Sequence, residues 1–165
     1  MADGHIATYL NDHMAGATAA LELLENLQAA NHDTVFKSFV ADLRSDIEAD
    51  RQELKRLMDR LDISQSGLRK ASAWLAAKVA ELKLRLDDAP GGDLRLFESL
   101  EALSLGIEGK RGLWLALAAA AENAPALQLV EYDRLIKRAE DQRNRVETMR
   151  LKAAREALTP GSGPR

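Results

Sequence analysis

Cysteine is absent from the 165 residues. Thiolate zinc, thiol catalysis and disulfide staples are therefore excluded, and a reducing compartment is compatible with the chain. Aromatic residues make up only 4% of it and β-branched residues are scarce, so little favours strands. Of the four prolines, none interrupts a long periodic stretch. No run of about 18 apolar residues exists, so no membrane span is expected. The richest apolar stretch, 113–121, is short and mostly alanine. Positive charge is not in excess: the net charge is −3 and the pI about 5.7, which argues against nucleic acid as a partner. Residues 1–9 lack a basic segment leading into an apolar one, so no secretory leader is expected and the default location is cytoplasmic.

What remains is the composition of a helical protein. Ala, Leu, Glu, Lys and Arg dominate; 46% of the chain is hydrophobic and 30% charged, enough to build one core and solvate its outside. The spacing of apolar residues predicts five helices, over 3–30, 35–61, 67–87, 93–122 and 126–158. The first carries Ile6, Leu10, Met14, Ala17, Leu21 and Leu24 on one stripe, at intervals of three and four. Asp33 or Thr34 can cap the second, where Phe36, Val40, Leu43, Ile47, Leu54, Leu57 and Leu61 keep a near-heptad beat. The stripe of the third, around Trp74, is narrow and flanked by cations, as suits a helix lying outside a bundle. Gly91 and Gly92 break the chain and Asp93 can cap the fourth helix, with Leu96, Leu100, Leu103, Ile107, Trp114 and Leu117 inward. Leu129, Tyr132, Ile136, Ala139, Val146 and Ala153 form the stripe of the last. Residues 1–158 are thus expected to form a single helical domain and 159–165 a flexible tail. Short turns pair the first two and the last two long helices as hairpins, and the segment between them is long enough to cross back along the bundle.

Polar residues interrupt the stripes. Asp50 stands on a beat between Ile47 and Leu54. In an antiparallel hairpin, positions equally far from the turn share a height. This places His13 level with Asp50, and Glu108 level with Glu140. Glu101 lies two turns from Glu108 on the same face. Charges at core heights must be paired or bound to metal. An inward network of His13, Glu48, Asp50, Arg51, Glu101, Glu108, Glu140 and Arg143 is therefore expected.

Two hairpins joined by one long crossover resemble the ferritin-like superfamily, whose di-iron members carry Glu-x-x-His on two of the bundle helices. Here the corresponding runs read Glu48-Ala49-Asp50-Arg51 and Glu140-Asp141-Gln142-Arg143. Each keeps the glutamate and has arginine where that family has histidine. The family's lone glutamate on the third bundle helix could match Glu108, while the first helix offers only Asp12, His13 and Met14 at that height. A guanidinium is always protonated and has no lone pair to give a metal. The resemblance therefore implies an antiparallel four-helix bundle with a fifth, crossover helix, in which a salt-bridge network replaces the metal site.

No serine has a convincing base beside it, and no glycine-rich phosphate loop exists, so no catalytic residues are assigned. The basic residues of the last helix interleave with acids, the pattern of a solvated face. The leading expectation is a non-enzymatic structural, stress-associated or interaction protein without cofactor, self-associating as a dimer. Its small residues, Ala15, Gly16, Ala17, Ala19 and Ala20 with Ala116 and 118–121, can serve close helix packing or a dimer face. One alternative is iron or manganese held by His13, Asp50, Glu108 and Glu140. Another is a module binding a small molecule or a helix, marked by an apolar pocket of a few hundred Å³ near Trp74 or Trp114.

Overall fold

The computed structural model describes residues 4–65 and 92–159. They form four long helices: α1 (Gly4–Ala30), α2 (Thr34–Arg60), α3 (Gly92–Ala121) and α4 (Tyr132–Leu158), with a 3-10 turn at Pro125–Leu127. No strand occurs among the described residues, so the all-α expectation holds. No helix among them is long and apolar enough to cross a membrane. The expected helix over 67–87, with Trp74, lies outside the described residues, as does all of the tail beyond Thr159.

The helix starts follow local chemistry. Asp33 caps α2: its Oδ1 accepts from the backbone N–H of Val35 at 2.8 Å and of Phe36 at 3.1 Å. This satisfies donors that have no partner inside the helix. At the other end Asp62 takes a left-handed backbone, φ 54°, and the Ile63 N–H returns to the Met58 carbonyl at 2.9 Å. An aspartate tolerates that conformation better than most side chains, and the turn folds Ile63 into the core. Two expectations are corrected. Helix α3 starts at Gly92, so Asp93 lies in its first turn and not at its cap. Helix α4 starts at Tyr132, six residues later than the spacing suggested. There the chain is held in a turn: the Gln128 amide donates to the Ala121 carbonyl, the Tyr132 hydroxyl donates to the Leu127 carbonyl, and Leu127 is buried. Leu129, expected in the stripe, is 73% exposed as a result.

The interior divides into two apolar clusters. One joins Leu10 and Met14 of α1, Leu54 and Leu57 of α2, Trp114 and Leu117 of α3, and Leu135 of α4. The other joins Leu24 and Leu27, Phe36, Val40 and Leu43, Leu100 and Leu103, and Val146 and Ala153. Each fully buried leucine or valine contributes about 1.5–3 kcal/mol. On α2 the boundary between the clusters falls between Ile47 and Leu54, on α3 between Ile107 and Leu113, and on α4 between Leu135 and Ala139. Those three gaps hold Asp50, Lys110 and Arg138. Helices α3 and α4 pack together most extensively and α1 and α2 next, whereas α2 approaches α4 at few points.

Candidate functional site

Asp50 is 2% exposed and lies at the centre of a buried ionic cluster. Lys110 of α3 donates to its Oδ2 at 2.5 Å. The Gln142 amide of α4, 0% exposed, donates to the same oxygen at 2.8 Å. Arg138, one turn earlier on α4, donates from Nε to Oδ1 at 2.6 Å and also from its terminal nitrogen. Lys110 donates in addition to the Gln142 carbonyl oxygen. Both carboxylate oxygens are thus satisfied, as a buried charge requires. Burial draws the Lys110 ammonium below its ordinary value, against the opposing pull of Asp50.

The cluster is the middle rung of a ladder between α2 and α4. Arg134 donates to Glu53 at 2.9 Å on one side of it, and Arg145 pairs with Asp46 on the other. Long arginines span a seam where the two backbones stay apart. Burial alone would raise the Glu53 carboxyl, but the hydrogen bonds from Arg134 and Arg56 outweigh it and hold it low.

The remaining expected network members sit nearer the surface. Glu48 accepts from Arg51, at 3.0 Å and 2.9 Å, and from Gln52. Glu108 accepts from Arg111 at 2.7 Å and faces Arg143 at 3.5 Å. Glu140 faces Arg111 at 3.8 Å, and Glu101 pairs with Arg150 at 3.3 Å. The inward placement of Glu101, Glu108 and Glu140 is corrected: Glu101 is exposed and the other two are half-exposed. The reason is helical geometry. Leu100, Ile107 and Ala139 point inward, and the next residue along a helix is turned about 100° away. Hydrogen bonds from Arg51 and Arg111 hold the Glu48 and Glu108 carboxyls below their usual range.

These donors do not suit a pair of metal ions. Among the described residues no three His, Asp and Glu side chains converge. His13, Asp50, Glu108 and Glu140 are not brought together, and Asp50 is paired with Lys110 and Arg138.

Beside the ionic cluster lies a cavity of about 340 Å³ between α1, α2 and α3. Gly16, Ala17 and Ala20 form its α1 wall, Ile47 and Leu54 its α2 wall, and Ala102, Gly106, Ile107 and Trp114 its α3 wall. Small residues on facing helices leave this space open instead of closing it. A Cβ on Gly106 would meet nothing within 4 Å. Asp50, Lys110, Arg51 and His13 give the cavity its polar edge. The pocket near Trp114 that one alternative required is therefore present. The side chains of Lys110, Arg138 and Gln142 were not among the expected site residues.

His13 lines this cavity with its ring edge-on to Tyr9, at 4.7 Å between centroids. Among the described residues Asp50 accepts from Lys110, Arg138 and Gln142, and not from His13. Burial lowers the His13 pKa from 6.5, with Asp12 opposing. A lowered folded value means that the unfolded chain takes up a proton first as pH falls. Stability is then full above pH 6.5 and declines below it, by no more than about 1.4 kcal/mol per pH unit for one proton. Urea unfolding from pH 8 to 5 should show this decline, and His13→Gln should flatten it. The Glu48, Glu53, Glu108 and Glu147 carboxyls, all held low, lose their contribution only below their ordinary value of 4.5.

Comparison with protein-family models, with curated proteins and with solved structures gives no match.

Proposed function

We propose that the protein is a non-enzymatic binding module: an antiparallel four-helix bundle of the ferritin-like kind whose centre is an ionic cluster built from its own side chains and whose cavity takes an apolar ligand. The observation that carries this reading is the cavity of about 340 Å³, apolar on three sides and edged by Asp50 and Lys110. Its volume falls in the range of small-molecule sites. The antiparallel arrangement is supported by the membership of the core clusters, which groups the start of α1 with the end of α2, the end of α3 and the start of α4. The ladder supports it too: Asp46, Asp50 and Glu53 meet Arg145, Arg138 and Arg134, in opposite chain order. This parity, with α2 and α3 running the same way, is what a long crossover between them would produce.

Gly106→Leu tests the reading. The new side chain enters open space in the cavity, and leucine favours a helix over glycine by about 0.8–1 kcal/mol. The variant should fold, unfold at a higher urea concentration, and lose the site. By calorimetry 1-octanol should bind the wild type at one site per chain and not bind Gly106→Leu. Absence of binding to the wild type by 1-octanol and by charged amphiphiles of the same length rejects the module. Two iron or manganese ions per chain after purification without chelators, lost on Glu140→Ala, would replace it with the metal reading.

A further inference from the structure

We propose that the cavity selects apolar molecules with an anionic head, of the medium-chain carboxylate class, and that Lys110 and the Trp114 indole N–H hold the head. This rests on the binding reading above and names its ligand class.

Three observations converge. First, among the described residues the charges of the cluster do not balance. One carboxylate, Asp50, faces two cations, Lys110 and Arg138. The charged neighbours cancel in pairs, Asp46 with Arg145 and Glu48 with Arg51. A second anion would complete the cluster, since an unpaired buried charge is costly. Second, donors are left over beside the cavity. An ammonium has three N–H groups, and among the described residues Lys110 has two acceptors, Asp50 Oδ2 and Gln142 Oε1. Trp114 is 1% exposed, and its buried Nε1 has no acceptor among the described residues. Both side chains line the cavity. Four residues apart on α3, they lie on one helix face, their Cβ atoms about 5–6 Å apart. Third, the rest of the lining is apolar. At about 30 Å³ per water-sized group the space holds on the order of ten heavy atoms, the size of an octanoate ion. Such a ligand would also favour the charged form of Lys110, which burial now disfavours.

Calorimetry with octanoate, 1-octanol and octylamine on the full chain tests this. Octanoate should bind about tenfold more tightly than 1-octanol, and octylamine more weakly than either. Lys110→Met should weaken octanoate by about tenfold and leave 1-octanol unchanged. Trp114→Phe keeps an aromatic ring while removing the donor and part of the indole volume, and 1-octanol serves as the control for the volume. It should weaken octanoate severalfold without affecting 1-octanol, and it decides the matter if Lys110→Met fails to fold. Binding of 1-octanol with no preference for octanoate overturns the anionic head and leaves the module standing. Binding of none of the three overturns both. Flotation with phosphatidylglycerol vesicles separates a free acid from a lipid headgroup. The protein is expected to stay unbound, and recruitment to vesicles without octanoate binding overturns the assignment.

Discussion

Asp50→Ala is expected to destabilise the fold by about 3–5 kcal/mol, because it strands buried cations without their partner. For a chain of this length that corresponds to a fall of about 10–15 °C in Tm, and the same loss should appear as a lower urea midpoint. The size follows from burial. Lys110 donates to both Asp50 and Gln142, Gln142 donates to Asp50, and Arg138 donates twice to Asp50, so the carboxylate accepts from all three partners. The outer rung supplies the contrast: Arg145 and Asp46 are both about two-fifths exposed. Arg145→Ala should cost only about 0–1 kcal/mol. A further control separates the ionic hub from mere loss of volume. Asp50→Leu combined with Lys110→Met removes both charges, and its cost should fall short of the sum of the two single changes by about 0.5–3 kcal/mol. An Asp50→Ala protein as stable as Arg145→Ala would mean that the cluster is solvated, and the cavity would then have no charged edge.

The four described helices and the odd charge on α2 were legible in the sequence; the partners of that charge were not. The beats of α2, α3 and α4 each carry one polar residue: Asp50 after Ile47, Lys110 after Ile107, and Gln142 between Ala139 and Val146. A search for the interrupted beat on every helix would have found all three. What hid them was the height assignment. Placing the second turn at Ala124 sets Glu108 level with Glu140, whereas α3 ends at Ala121 and α4 begins at Tyr132. The midpoint then moves to between 126 and 127, which sets Lys110 level with 143, beside Gln142. A turn held by side-chain bonds from Gln128 and Tyr132 leaves no periodic trace, so its length could not be read. The cavity was hidden for another reason. Gly16, Ala17, Ala20 and Gly106 permit close helix approach, but they permit a gap equally well. Spacing along one helix does not fix the separation of two.

Truncating Trp114 to alanine is the other change expected to be severe, at about 3–5 kcal/mol and about 10–15 °C in Tm. The indole is almost wholly buried and packs in the cluster that joins Leu10, Leu54 and Leu135, so it ties all four helices at one end of the interior. The cost should come from lost volume and not from a lost hydrogen bond, because Nε1 has no acceptor among the described residues. Trp114→Phe should therefore cost much less, about 1–2 kcal/mol. The void left by alanine would merge with the cavity that the indole now borders, and an apolar void of that kind binds a molecule of matching shape. Indole added at a hundred times its Kd would return about 2.7 kcal/mol to the alanine variant by mass action, and far less to the wild type, whose indole position is filled. Melting curves with and without indole decide the point. Equal losses for phenylalanine and alanine would show that the N–H already has an essential partner in the free protein. In that case it would not be available to a carboxylate, and selection by head group would rest on Lys110 alone.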